Sequence, residues 1–215
     1  MDKKLIIFDL DGTLINTVKD LNIAVNYSLN KFNYPLRTIQ NTTNDIGNGV
    51  AKLMERSIPG GLDNPNYEEA LRIFKEYYKA HYFENSRPYP KVIETLKYLK
   101  EKGYILAVVS NKFDEGAKKL VTYYLPNYFS IIQGTIPELR NKPYPDLVNK
   151  VLTELSIKPQ EALYIGDTEV DYLTATNSHL DCILTSQGYR NETQLKERTK
   201  NSPIIKDLGE LVNIL

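Results

Sequence analysis

Six short apolar runs, none of them alternating, set the first constraint on this chain: residues 5–8, 104–109, 131–132, 163–165, 182–184 and 204–205. A strand with one wet face alternates apolar and polar residues. An unbroken run bounded by polar or glycine residues belongs instead to a strand covered on both faces, as in a parallel sheet. Helical spacing fills the intervals between the later runs. Val92, Ile93, Leu96 and Leu99 form one stripe, stopped by Gly103; Leu147, Val148, Val151, Leu152 and Leu155 form another, entered through Pro145-Asp146. Asp207 stands where it would cap a last short helix running to Leu215. Strand and helix in alternation predict an α/β fold, a doubly wound, Rossmann-like parallel sheet with helices on both faces.

One interval is too long for that rhythm. From Asp11 to Ser110 there are 98 intervening residues, where a crossover with its helix needs only about a dozen. Residues 17–32 carry Val18, Leu21, Val25, Leu29 and Phe32 on one helical face, with Thr17 as the N-cap. Residues 66–83 repeat the pattern with Tyr67, Ala70, Leu71, Phe74, Tyr77, Tyr78 and His81. Between them lie the Gly47-Asn48-Gly49 turn and a short segment, 50–57. Arg87-Pro88-Tyr89-Pro90 reads as a stiff return linker. The expectation is a core domain from residues 1–15 and 87–215, with a small all-helical cap domain, 16–86, inserted in it.

Charge narrows the function classes. Lys+Arg and Asp+Glu both number 27, for a net charge of zero, so the basic excess expected of a nucleic-acid or anionic-membrane binder is missing. The single cysteine, Cys182, excludes an internal disulfide and a cysteine-built zinc site, and fits a reducing compartment. No apolar run approaches the ~20 residues that span a bilayer. A cytoplasmic protein with no nucleic-acid and no membrane partner is expected.

Four fragments stand out, each at or beyond the C-terminal end of a predicted strand, the edge where open parallel sheets place their sites. Taken singly, each also reads as a polar turn, an ordinary loop, a solvated lysine or a helix cap. Asp9-Leu10-Asp11-Gly12-Thr13 puts two carboxylates together after the first strand, where they need a cation or a shared proton. Ser110-Asn111-Lys112, after the strand 104–109, offers a hydroxyl, an amide and main-chain N–H groups to an oxyanion. In Lys142-Pro143-Tyr144-Pro145 two prolines fix the backbone around one lysine. Gly166-Asp167-Thr168-Glu169-Val170-Asp171 brings two more carboxylates, one at a strand tip and one a turn later on a helix, able to supply oxygen ligands to a hard cation.

Taken in order, the four fragments resemble the motifs of the haloacid dehalogenase superfamily, and the resemblance covers essentially the whole chain. It implies an Mg²⁺-dependent phosphomonoester hydrolase acting on a small phosphorylated metabolite. Asp9 would be the nucleophile that forms an aspartyl-phosphate, and Asp11 the general acid and then base. Asp9, the main-chain carbonyl of Asp11, and Asp167 would hold Mg²⁺, with Asp171 beside them as a ligand, an outer partner or through water. Thr13, Ser110, Asn111 and Lys142 would meet the phosphoryl group.

The stretch Gly47-Asn48-Gly49, followed by Lys52 and then Leu53-Met54-Glu55-Arg56, is similar to the cap of bacterial phosphoglycolate phosphatases; outside the cap, Ser110-Asn111-Lys112, the lysine-proline motif and Gly188-Tyr189 are similar to that subgroup too. Gly47, Asn48, Gly49 and Lys52 are therefore candidate substrate contacts, Lys52 being equally readable as a solvated surface lysine. A pyrophosphatase or a broad-specificity phosphatase are rival readings, a β-phosphoglucomutase-like mutase a lesser one, and a regulatory binding protein on the same fold is the non-enzyme alternative. Asn16-Thr17 and Asn177-Ser178 depart from the family's usual residues, which bears on hinge and substrate rather than on the chemistry. The expected state is a monomer or a homodimer.

Overall fold

A computed structural model of the chain describes residues 3–200 and 202–215. It divides into two compact units, one made of Met1–Ile15 and Pro88–Leu215, the other of Asn16–Arg87.

The first unit is built on a parallel sheet of six strands: β1 (Leu5–Phe8), β4 (Ile105–Phe113), β5 (Ile131–Thr135), β6 (Ala162–Gly166), β7 (Asp181–Thr185) and β8 (Ile204–Ile205). Their order is β5-β4-β1-β6-β7-β8, every pairing parallel. All four residues of β1 are fully buried, which explains a run with no alternation. Leu5, Ile7, Ala107, Val109 and Tyr164 face one side, against Leu147, Val148, Val151 and Leu152 of α7 (Asp146–Leu155) and Ala175 of α8 (Glu169–Asn177). The chain builds outward from β1 through β4 to β5, then returns to β6 on the other flank of β1. The C-terminal tip of β1 thus lies at the point where strand order reverses, where such sheets open a crevice.

Three details differ from the sequence reading. β4 does not stop at Val109 but runs through Ser110-Asn111-Lys112 to Phe113. Four residue steps on β4, from Val109 to Phe113, face two on β5, from Gln133 to Thr135, so the fragment sits in a bulge that pushes it off the ladder. Gly134 makes room for it: a Cβ there would lie 2.6 Å from the Lys112 carbonyl oxygen. Second, Asp207 caps a 3₁₀ turn, Leu208–Asn213, accepting the Gly209 N–H at 2.9 Å, rather than a helix to Leu215. Third, Thr17 occupies the N-cap position of α1 without a side-chain capping bond.

The second unit is helical: α1 (Val18–Asn30), α2 (Ile39–Asp45), α3 (Val50–Ser57) and α4 (Tyr67–His81). Leu21, Ala24, Val25 and Leu29 of α1 are buried, as are Ala70, Leu71, Phe74 and Tyr78 of α4, and the Ser28 hydroxyl donates to the Ala70 carbonyl at 2.6 Å. α2 has no apolar stripe to announce it; it is started by Thr38 and Asn41 in a reciprocal capping box. Asp20, buried in the first turn of α1, accepts from the main-chain N–H groups of Asn85 and Ser86 and from both their side chains. That carboxylate ties the start of the unit to its end. The chain enters and leaves through β2 (Ile15–Asn16) and β3 (Arg87–Pro88), which pair as a two-stranded sheet. Among the described residues no helix is long and apolar enough to cross a membrane.

Candidate active site

Asp9 directly follows β1, and its buried carboxylate meets two donors at one oxygen. Oδ1 accepts the Leu10 N–H at 2.7 Å and lies 2.8 Å from the Lys142 ammonium. Lys142 arrives from the loop between β5 and α7, is 4% exposed, and also reaches Asp171 Oδ1 at 2.8 Å. Asp167, at the tip of β6, is fully buried: Oδ1 accepts from the Thr13 hydroxyl at 2.9 Å and Oδ2 from the Tyr189 N–H at 2.8 Å. Asp171, in the first turn of α8, turns Oδ2 to the Thr168 hydroxyl at 2.7 Å and to the N–H groups of Thr168 and Asp167 at 3.0 and 3.2 Å. Thr168 and Asp171 form the capping box of that helix. Asp11 is half-buried, 3.5 Å from the Lys112 ammonium.

The space around Asp167 is set by two glycines. Gly12 has φ +92°, a backbone shape that disfavours any side chain, and a Cβ there or at Gly188 would overlap the Asp167 carboxylate. The Gly12 and Gly188 backbones therefore close on Asp167 from two sides.

The electrostatics of this cluster ask for a cation. Burial pushes the Asp9 carboxyl up from its ordinary value, Lys142 pulling it back and Asp171 adding to the rise. Burial likewise raises Asp167 well above the ordinary range, with Asp171 and then Asp9 contributing. Burial disfavours the Lys142 ammonium, yet Asp171 and Asp9 hold it charged, well above the usual lysine value. Carboxylate oxygens of Asp9, Asp167 and Asp171 all lie within 4.8 Å of one another. Among the described residues, three carboxylates against the one ammonium that touches two of them leave two formal negative charges in excess. An all-oxygen donor set suits a hard divalent cation rather than zinc or copper, so the residues present fit a divalent metal.

Of the residues singled out from sequence, Asp9, Asp11 and Thr13 follow β1, Asp167 and Asp171 follow β6, Lys142 lies in the loop after β5, and Ser110 and Asn111 lie in the C-terminal half of β4. The Thr13 hydroxyl is engaged by Asp167 rather than left open. The Asn111 carboxamide bonds the Lys142 main chain, donating to its carbonyl at 3.0 Å and accepting its N–H at 2.8 Å. Gly47, Asn48, Gly49 and Lys52 belong to the helical unit. Gly49 (φ +86°) is the N-cap of α3, its N–H donating to the Gly47 carbonyl. The Arg56 guanidinium holds this loop by donating to the Asp45 carbonyl and to Asn48 Oδ1. Lys52 is exposed and paired with Glu55 at 2.7 Å.

Sequence reasoning assigned no role to Lys112 or Tyr164. Lys112 lies within the β4 bulge and is buried beside Asp11. The Tyr164 hydroxyl, 3.1 Å from Lys142 Nζ, lies under the cluster. A tyrosine in an otherwise aliphatic buried run is a legible signal, since its hydroxyl must find a partner.

Comparison with known proteins agrees with this geometry. The chain is 34% identical to the phosphoglycolate phosphatase of Aquifex aeolicus over 98% of its own length and 97% of that protein's. It is 31% identical to the phosphoglycolate phosphatase of Haemophilus influenzae over 99% and 98% of the two chains. A crystal structure of a candidate phosphoglycolate phosphatase from Lactobacillus delbrueckii superposes with a TM-score of 0.93 at 30% identity, covering 100% of this chain and 98% of that one. The family model for haloacid dehalogenase-like hydrolases matches residues 6–185, and the chain belongs to that family.

Proposed function

We propose that the protein is an Mg²⁺-dependent phosphomonoester hydrolase that passes the phosphoryl group through Asp9, with 2-phosphoglycolate as its preferred substrate. The observation that carries the chemistry is the meeting of Asp9, Asp167, Asp171 and Lys142 in one buried cluster at the switch point of the sheet. The substrate rests on the two full-length relatives named phosphoglycolate phosphatase.

Asp9 is the nucleophile in this reading. Its Oδ1 is held by Leu10 N–H and Lys142, so the carboxylate has a fixed orientation and Oδ2 is the oxygen that attacks phosphorus. Asp11, half-buried and paired at only 3.5 Å with Lys112, protonates the leaving alkoxide and then takes a proton from the hydrolytic water. Lys142, the Ser110 hydroxyl and the Asn111 main-chain N–H neutralise the phosphoryl oxygens as charge redistributes. Asp9, the Asp11 carbonyl and Asp167 would hold Mg²⁺, whose charge, once bound, would let a dianionic phosphate approach an anionic carboxylate. Asp171 carries more protein donors than Asp167 does: Lys142 and Tyr164 at Oδ1, and the Thr168 hydroxyl with two main-chain N–H groups at Oδ2. It acts as an outer partner, orienting Lys142 and the Asp167 loop. Gly47, Asn48, Gly49 and Lys52 are the substrate-selecting residues, and the enzyme works in the cytoplasm as a monomer or homodimer.

The test is phosphate release with Mg²⁺ from 2-phosphoglycolate, pyrophosphate, β-glucose-1-phosphate and an aryl phosphate. A kcat/KM for 2-phosphoglycolate at least about tenfold above the others is expected, the range set by one well-made polar contact. Equal, low rates on all four would keep the chemistry and overturn the substrate.

A further inference from the structure

The Lys142 ammonium has three N–H bonds and finds three acceptors: Asp9 Oδ1 at 2.8 Å, Asp171 Oδ1 at 2.8 Å and the Tyr164 hydroxyl at 3.1 Å. Two of these are charged groups of the proposed chemistry. The third is a neutral phenol on β6 whose ring is fully buried. Tyr164 accepts from Lys142, and its own proton has two destinations, Asp171 Oδ1 and the Val109 carbonyl, both at 3.3 Å.

The same lysine is gripped at its other end. Residue 142 lies in a loop, where no sheet ladder or helix fixes the backbone, and the Asn111 carboxamide supplies the missing pair of bonds, one to the Lys142 carbonyl and one from its N–H. A lysine side chain has four rotatable carbons and a point charge with no preferred direction. Placed in a loop, it holds one position only if its surroundings over-determine it.

We infer that Tyr164 and Asn111 are positioning residues for Lys142: Tyr164 fixes the ammonium against Asp9, and Asn111 fixes the backbone from which that ammonium is projected. Neither side chain is asked to touch substrate. The inference rests on the proposed role of Lys142 in phosphoryl transfer. The prediction is specific because Asp9 and Asp171 still hold the positive charge in the pocket when the phenol is removed. Substrate is then still attracted, while the placement of the charge relative to the reacting oxygen is loosened. A misplacement of about 1 Å is enough to cost roughly a hundredfold in rate.

The experiment measures kcat and KM with Mg²⁺ and an active phosphate ester for the wild type, Tyr164→Phe, Asn111→Ala, Lys142→Met and the double variant Tyr164→Phe/Lys142→Met, each checked by thermal melting. Tyr164→Phe is expected to lower kcat roughly 10- to 100-fold with KM within about threefold. In the Lys142→Met background the same change should have no further effect beyond about twofold. Asn111→Ala, at a partly exposed site, should also lower kcat, and decides the matter if Tyr164→Phe does not fold. A structural role alone would lower the melting temperature and leave kcat intact. If both single variants keep kcat within about twofold while Lys142→Met loses about 10²-fold or more, or if the Tyr164 and Lys142 losses multiply, the inference is overturned and the phosphatase reading stands. If Lys142→Met itself keeps the wild-type rate, it is the reading of Lys142 that fails.

Discussion

The polar residues around Asp9 and those around Gly49 were equally visible in the sequence, yet the structure treats them in opposite ways. In the α/β unit, Asp9, Ser110, Lys142, Asp167 and Asp171 come from four separate stretches of chain and are all buried. Their partners are distant: Lys142 with Asp9 and Asp171, Thr13 with Asp167. In the helical unit, Asn48, Lys52 and Arg56 are exposed and their bonds stay local, Asn48 with Arg56 and Lys52 with Glu55. Burying a charge costs several kcal/mol unless it is well paired, so a buried group of three carboxylates and one lysine is hard to account for by stability. Exposed pairs are worth about 0–1 kcal/mol and signify little by themselves. The difference teaches why the chemistry of this chain can be argued from geometry while its substrate preference leans on relatives.

The contrast is most easily broken at Lys142. Lys142→Met should lower kcat/KM about 10²- to 10³-fold, the scale of losing one preorganised charge-stabilising group. Without divalent cations it should also destabilise the fold by about 3 kcal/mol, because it strands buried carboxylates. Urea denaturation measures the second effect, and Arg56→Ala, its counterpart in the helical unit, should cost about 1 kcal/mol or less. Equal stability losses in the two variants would erase the distinction between the regions.

A pair of glycines sharpens it. At Gly188 an added Cβ would overlap the Gly12 carbonyl oxygen and the Asp167 carboxylate. Gly188→Ala should therefore cost about 1–3 kcal/mol and raise the Mg²⁺ concentration for half-maximal activity about tenfold or more. Gly49 has open space around its Cβ position but φ +86°. Gly49→Ala should cost about 1–2 kcal/mol from backbone strain alone, with no change in Mg²⁺ dependence.

Lys52 gives the smallest expected effect. Its exposed pair with Glu55 is weak enough to exchange partners. Lys52→Ala should raise KM for 2-phosphoglycolate about fivefold, the upper value of one exposed ion pair, and leave kcat unchanged. The aryl phosphate, which lacks a carboxylate, should show no change; an equal KM increase for both substrates would make Lys52 a general electrostatic contact.

The sheet was legible because a strand covered on both faces leaves an unmistakable trace, as in Leu5-Ile6-Ile7-Phe8. The site was legible for the same reason in reverse, since Asp9, Asp167 and Lys142 stand where no packing logic would place a charge. The β4 bulge was not legible: it arises from a register mismatch with β5 and from Gly134 on the neighbouring strand, and pairwise facts of that kind are absent from a local pattern. α2 escaped because its one buried residue is Thr42, so no apolar stripe marks it. Tyr164 escaped, and Asn111 was read only as a phosphoryl contact, because their shared partner Lys142 lies 22 and 31 residues away from them in sequence.

The most direct test of the central claim is phosphate release with Mg²⁺ by Asp9→Asn, set beside the wild type under identical conditions. The account predicts a variant that melts cooperatively as a folded protein and has lost about 10⁴-fold or more in kcat, as befits removal of a nucleophile. A folded Asp9→Asn variant retaining activity within about tenfold of wild type would contradict it, because a carboxamide at residue 9 is too weak a nucleophile to form the covalent phosphoryl bond at such a rate.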